Sequence, residues 1–149
     1  MPIQKVKKSF SLGTYILNSF NTLVLILGFT IIFSILSNIF VLALNYLPLK
    51  EEVLKFICAI STGIFEMTSG ILKLQKLNIS YTLKMCLASF ISSFGGLSVI
   101  FQIYTVVQKQ DLSFRNIFMH KVLHGILSAV LTYILISTFV IFQSPYLYI

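Results

Sequence analysis

Acidic side chains are scarce in this sequence: its 149 residues contain four Asp and Glu, together with no Trp and three Pro. Charged residues of both signs make up 10% of the chain and hydrophobic residues 57%, whereas an ordinary soluble domain is about 25% charged. So few charged residues cannot cover the surface of a soluble domain of this size. The shortage of charge therefore excludes a water-soluble fold and predicts a membrane protein.

Long uncharged runs support this interpretation. The first covers residues 9–49, roughly twice the length of one membrane span, and two more cover residues 85–108 and 122–149. Lipid admits only helices and closed barrels, and these runs are too long for barrel strands of about 10 residues. We therefore predict an all-α protein with several passes through the cell membrane and no β-sheet.

The net charge of +7 does not indicate nucleic-acid binding, because the cations are dispersed. They precede the first apolar run or lie in the short gaps between runs, where juxtamembrane lysines contact anionic headgroups. Membrane lipids are therefore expected partners, and nucleic acid is not. Cys58 and Cys86 lie in apolar stretches without CxxC spacing, so we expect neither a disulfide nor a metal site from them.

The sequence divides into three regions: a basic interfacial lead-in over residues 1–18, a gate-like transmembrane domain over residues 19–143 and a tail over residues 144–149. The transmembrane domain contains four hydrophobic segments, predicted over residues 20–47, 54–72, 82–107 and 118–143. The second is barely long enough to cross a bilayer, and the third is interrupted by small residues. We therefore expect one or two of the four segments to be broken or re-entrant.

Glu66 is the most informative residue, because it is an acid inside an apolar segment. A carboxylate in the middle of a membrane helix costs about 2.5–3.5 kcal/mol on insertion scales, so it needs a partner, water or a proton. On a straight helix it shares a polar stripe with Thr62, Gly63, Ser69 and Gly70. We expect Glu66 to face the helix bundle and, because burial disfavours its charge, to carry a proton. A functional role is favoured over pairing with a neighbouring helix for assembly.

A second signal is the Ser-Ser-Phe-Gly-Gly sequence that ends at Gly96. It predicts that the third segment is interrupted near Gly95, as a kink or as a hairpin of two half-helices. Backbone carbonyls and half-helix ends then become available to a solute. On a continuous helix one polar stripe would still form, from Ser92, Gly95, Ser98 and Gln102. Small-residue packing between helices explains the pattern about equally well.

The third signal lies at the start of the last segment. His120 and His124 have the i, i+4 spacing of two metal ligands, but the sequence places no third ligand near them, which makes a metal site a weak hypothesis. Lys121 or His124 is a candidate counter-charge for Glu66. The sequence contains no nucleotide-binding, metalloprotease or hydrolase motif, so we predict no enzyme, no metal and no cofactor.

Three stretches together resemble a known family. They are residues 66–70 (EMTSG), 93–102 (SFGGLSVIFQ) and 121–125 (KVLHG), and they are similar to the C-terminal half of sporulation integral membrane proteins of the YlbJ type. That family contains nucleoside-recognition gate domains, which look related to the hairpin regions of concentrative nucleoside transporters. The resemblance implies a role in endospore cortex formation in a bacterium. Family members carry two gate-like halves and this chain holds one. Either the chain is a C-terminal fragment, or a homo-oligomer or a second half-length subunit is the expected partner.

The resemblance also implies one half of a transporter-like gate for a small solute, with a non-transporting scaffold as the alternative. Glu66 would bind the solute or a coupling proton, and the break at the two glycines would supply backbone ligands. Thr68 points away from Glu66 on a straight helix, so the motif can face one cavity only if the helix unwinds there. The predicted substrate-binding residues are Glu66, Thr68, Gly70, Gly95, Gly96, Ser98 and Gln102.

Overall fold

The computed structural model describes residues 12–107 and 112–143, and within these ranges the chain forms helices and no strands. The predicted all-α class is confirmed. Three helical stretches are long and apolar enough to cross a membrane: Leu12–Leu44, Tyr81–Val107 and Phe114–Phe139. The six helices are α1 (Leu12–Leu44), α2 (Glu51–Phe65), α3 (Met67–Gln75), α4 (Tyr81–Phe94), α5 (Gly96–Val107) and α6 (Phe114–Gln143).

The first and last helices begin earlier than predicted. α1 starts at Leu12, so residues 12–18 of the predicted lead-in continue the first helix. α6 starts at Phe114 and not at Phe118. Residues 1–11 of the lead-in and the predicted tail over residues 144–149 lie outside the described residues.

The second hydrophobic segment is a helical hairpin that turns at Glu66. Two contacts show that α2 and α3 run antiparallel. Gly70 packs on the Gly63 backbone, and Lys73 Nζ donates to Thr62 Oγ1 at 2.9 Å. Residues 76–79, which follow α3, share a pocket with residues at the start of α2. The chain therefore enters and leaves the hairpin at the same end. The expectation of a broken segment is confirmed, and the straight helix on which the polar stripe was drawn is wrong.

The third segment is broken into α4 and α5, as predicted near Gly95. Gly95 ends α4 in the left-handed conformation (φ 82°), and its N–H donates to the Ile91 carbonyl. Gly96 follows at φ 75°. Glycine adopts positive φ without the steric cost that other residues pay, so the glycine pair fixes the break. α5 packs chiefly on α1, whereas α4 packs on α3 and α6. The segment thus continues beyond the break and does not fold back on itself.

The buried core is small and lies between the hairpin and α4. Ala59, Leu74 and Ile91 form its centre. Between α4 and α6, Ser89 Oγ and Ser128 Oγ lie 2.6 Å apart, and Thr132 Oγ1 donates to Ser89 Oγ at 2.8 Å. Such hydroxyl contacts hold membrane helices together where lipid provides no hydrophobic driving force. Large apolar side chains cover the outside of α1 and α6, as expected of a multi-pass membrane protein.

Candidate functional site

The two helix breaks contact each other where the hairpin tip meets α5. A Cβ added to Gly96 would lie 3.1 Å from the Phe65 carbonyl oxygen and 3.2 Å from the Gly63 carbonyl oxygen. The Gly96 backbone therefore packs directly on the last turn of α2, beside Glu66. We call this contact between the hairpin tip (residues 63–66) and the start of α5 (residues 95–98) the junction. The two sequence signals, 30 residues apart in the chain, come together there.

Glu66 is extended between α2 and α3 (φ −146°, ψ 118°) and caps α3 with its own side chain. Oε1 accepts a hydrogen bond from the Thr68 N–H at 2.8 Å, and Oε2 accepts one from the Ser69 N–H at 2.7 Å. The residue is buried, with 6% of its surface exposed. Two backbone donors at the positive end of a helix suit a carboxylate anion. These surroundings contradict the expected proton on Glu66, because the two backbone donors favour the ionised carboxylate.

Thr68 and Gly70 act through their backbones. The Thr68 side chain is exposed. This predicted ligand therefore contributes its backbone N–H, and not its side chain, to the hairpin tip. The Gly70 N–H donates to the Glu66 carbonyl at 3.2 Å, and a Cβ on Gly70 would lie 2.2 Å from Gly63 Cα. The Glu-x-Thr-x-Gly pattern thus builds a capped hairpin tip in which two helices touch backbone to backbone.

Ser98 and Gln102 extend the site from the junction toward α1. Ser98 lies in the first turn of α5 and is 2% exposed. Its Oγ accepts a hydrogen bond from Gln102 Nε2 at 3.1 Å, and the same nitrogen lies 3.4 Å from the Ile26 carbonyl oxygen of α1. The structure therefore places Gly95, Gly96 and Ser98 in the buried junction and Gln102 one turn away.

Lys121 has a different partner from the one predicted. Its Nζ donates to the Ser93 carbonyl oxygen at 2.9 Å, in the last turn of α4, where the helix dipole is negative. His124 is exposed and lines an open pocket together with His120. In the part of the chain that the structure describes, the Glu66 carboxylate is therefore hydrogen-bonded by the α3 amide groups, and the Lys121 ammonium by the α4 carbonyl end.

Half-helix ends of opposite polarity meet in and around the junction. The amino end of α3 holds Glu66, and the carboxyl end of α4 holds Lys121. The last carbonyls of α2 face the amino end of α5 at Gly96. Since helix ends carry partial charges of about half an elementary charge, each end faces a group of opposite sign. Discontinuous helices of this kind form solute sites in membrane transporters.

Removing the Lys121 ammonium is expected to loosen the α4 end of the break. Lys121→Met loses one charge-assisted hydrogen bond, which corresponds to about 1–3 kcal/mol of stability, whereas Lys121→Arg should retain most of it. Thermal unfolding in detergent measures the difference, with Lys76→Met as a control because Lys76 is exposed. Equal melting temperatures for wild type, Lys121→Met and Lys76→Met would contradict this role.

One buried polar residue of α1 was not predicted for the site. Ser37 is 1% exposed, although most of α1 is not covered by other helices. A helix that is apolar on every side has no periodic pattern to mark its buried face. The sequence therefore contains no signal that separates Ser37 from the other small polar residues of α1.

Comparison with known proteins supports the resemblance seen in the three motifs. The chain is similar to the sporulation integral membrane protein YlbJ of Bacillus subtilis (strain 168), with 26% identical residues over an alignment of 154 residues. The alignment covers 93% of this chain and 36% of the relative, so the chain spans about a third of the length of that protein. No family model matches the chain. No solved structure matches it either.

Proposed function

We propose that this chain is an integral membrane protein of endospore formation and forms one half of a gate for a small polar solute. The observation that supports the gate best is the junction, where a re-entrant hairpin tip rests on a glycine break in a second membrane segment. The role in sporulation is supported by the name of the relative. We extend the proposal to cortex formation, on the strength of the motif resemblance.

The proposed gate works by moving the hairpin tip away from α5. Gly96 has no side chain, so a small displacement of the tip uncovers the carbonyl end of α2 and the amino end of α5 together. Both are backbone groups that hydrogen-bond a solute without needing a particular side chain. The carboxylate of Glu66 holds the first turn of α3 rigid during this movement, through its bonds to Thr68 and Ser69. A second copy or a second half-length subunit supplies the opposite wall.

A non-transporting scaffold is the second candidate, and the third motif supports it. Gly125 lies against α4, where an added Cβ would be 3.0 Å from the Phe90 ring. The glycine of the Lys-Val-Leu-His-Gly stretch is therefore explained by helix packing. A chain that only organises other membrane proteins would need such packing and would not need a movable tip.

Transport measurements separate the two candidates. We expect the chain, reconstituted in phospholipid vesicles, to accelerate the uptake of radiolabelled uridine or adenosine. Glu66→Gln keeps the side-chain shape but replaces one acceptor oxygen by an amide that cannot accept a hydrogen bond. Uptake should fall at least about 10-fold, the equivalent of one strong hydrogen bond, because the tip loses part of its cap.

Glu52→Gln is the matched control, because Glu52 is an exposed acid at the start of α2. It should leave uptake unchanged, and both variants should elute from a sizing column like the wild type. If uptake is absent in the wild type, the scaffold is correct. If the wild type takes up solute and the two variants do so equally, Glu66 has no part in the gate. In a sporulating host that lacks its own copy, the same variants should give the same ranking of heat-resistant spore counts.

A further inference from the structure

Ser37 carries a buried hydroxyl for which the described residues offer no partner. Its Oγ has no hydrogen bond, and 1% of the residue is exposed. Leaving a buried polar group without a partner costs about 1–3 kcal/mol, and most such groups have a protein or water partner. The side chain therefore needs a polar group that lies outside the described part of this chain.

The orientation of Ser37 differs from that of its neighbours on α1. Thr22 and Thr30 donate to the carbonyl oxygens four residues earlier, at 2.9 Å and 3.0 Å, which is the usual way for a hydroxyl to satisfy itself inside a membrane helix. Ser37 makes no such bond to its own helix. Its hydroxyl is therefore available to hydrogen-bond a group outside α1.

Two aromatic contacts show what Ser37 faces. Phe33, one turn before it, packs on Phe101 of α5 with ring centroids 5.3 Å apart. Phe40, about one turn after it, packs on Phe65 at the hairpin tip with centroids 5.6 Å apart. Ser37 lies between these two contacts on a buried face of α1. It therefore faces the region where α5 and the hairpin tip form the junction.

The charged groups around the junction already have hydrogen-bond partners. Glu66 is held by two backbone N–H groups, Lys121 by a carbonyl and Lys73 by the Thr62 hydroxyl. Ser98 accepts a hydrogen bond from Gln102 and, among the described residues, donates none. Two hydroxyls that can both donate and accept suit a hydroxyl, carbonyl or amide group better than an ionised one.

We propose that Ser37 is a solute-binding residue and that α1 forms a third wall of the junction, beside the hairpin tip and α5. Its hydroxyl hydrogen-bonds a neutral polar group of the solute when the hairpin tip moves away from α5. This inference rests on the proposed gate. Its tests are chosen so that the gate and the role of Ser37 can fail separately.

Thiol labelling tests whether water and solute reach position 37. In a chain with Cys58 and Cys86 replaced by Ala, Ser37→Cys is compared with Asn38→Cys, since Asn38 is the adjacent exposed residue of the same helix. A small charged methanethiosulfonate reagent modifies thiolates, which form in water and not in lipid. We expect Ser37→Cys to react at least about 10-fold faster than Asn38→Cys. Equal or slower reaction would show that Ser37 is merely packed, and would overturn the proposal.

Ser37→Ala gives a second, independent measurement. Because it removes an unpartnered hydroxyl, it should melt at the same or a higher temperature than the wild type while uptake falls about 10-fold, the equivalent of one hydrogen bond. Unchanged uptake would overturn the binding role. If the wild type transports nothing but Ser37→Cys is still labelled rapidly, the gate fails and the hydrated site remains. If uptake is normal and labelling is absent, the gate stands and the Ser37 inference fails.

Discussion

Replacing Gly70 by alanine is expected to force the α2–α3 hairpin apart. The new Cβ would lie 2.2 Å from Gly63 Cα and 2.4 Å from Gly63 N, far inside van der Waals contact. The atoms it meets belong to the backbone of α2, so no side-chain rotation can make room. Overpacking a well-fitted core costs about 1–3 kcal/mol and occasionally more. We expect the upper end of that range or beyond, because two whole helices must separate.

Gly28→Ala is the matched control for this substitution. Gly28 is also a helical glycine of a membrane segment, but a Cβ added there meets nothing within 4 Å. It should stabilise the chain by up to about 1 kcal/mol through helix propensity. Melting temperature in detergent and amide hydrogen exchange across residues 51–75 measure both variants. If Gly70→Ala has the melting temperature of the wild type and its amide hydrogens exchange no faster, the close hairpin contact is wrong.

Helix formation and the position of the break at Gly95 could be predicted from the sequence because each has a local cause. Uncharged runs in lipid must be helical, since every backbone group needs an internal partner. Two adjacent glycines flanked by serines mark the break at Gly95, and the structure confirms it. The break at Glu66 was not located in this way, because the cost of its carboxylate predicted only that the side chain faces the bundle, and its polar stripe was drawn on a straight helix.

The direction of the chain after each break could not be predicted, because it depends on contacts between segments. α3 turns back along α2 since Gly63 and Gly70 allow their backbones to touch. α5 continues past Gly96 since its aromatic residues pack on α1, with Phe101 against Phe33. Both breaks look alike in the sequence, as small or polar residues in an apolar run. The different outcomes are decided by partners many residues away.

The charge partners of the site were predicted incorrectly for a related reason. Sequence spacing suggested Lys121 or His124 as the counter-charge of Glu66, because a continuous helix leaves only side chains as partners for a carboxylate. The structure satisfies Glu66 with the backbone N–H groups of Thr68 and Ser69 and gives Lys121 a carbonyl of α4. Backbone groups become available only after a helix breaks. A pairing based on continuous helices therefore overlooks them.

Replacing Gly96 by alanine is expected to cause the largest loss of function. The residue has φ 75°, a conformation that costs an alanine about 1–2 kcal/mol. In addition, its Cβ would press on the Phe65 and Gly63 carbonyl oxygens at 3.1 Å and 3.2 Å. The hairpin tip must then shift away from α5. We expect solute uptake and heat-resistant spore counts to fall at least about 10-fold while the chain still inserts into the membrane.

Gly95→Ala isolates the contact from the backbone strain. Gly95 has nearly the same conformation (φ 82°), but the atoms nearest to a Cβ there would belong to the side chain of Val99 in α5. The two variants share the cost of positive φ and differ in whether the new Cβ presses first on the hairpin tip. Gly95→Ala should therefore lose stability in a similar amount and retain clearly more uptake. Equal losses of uptake would mean that the break needs only its left-handed geometry, and that the contact of Gly96 with the tip has no part in the gate.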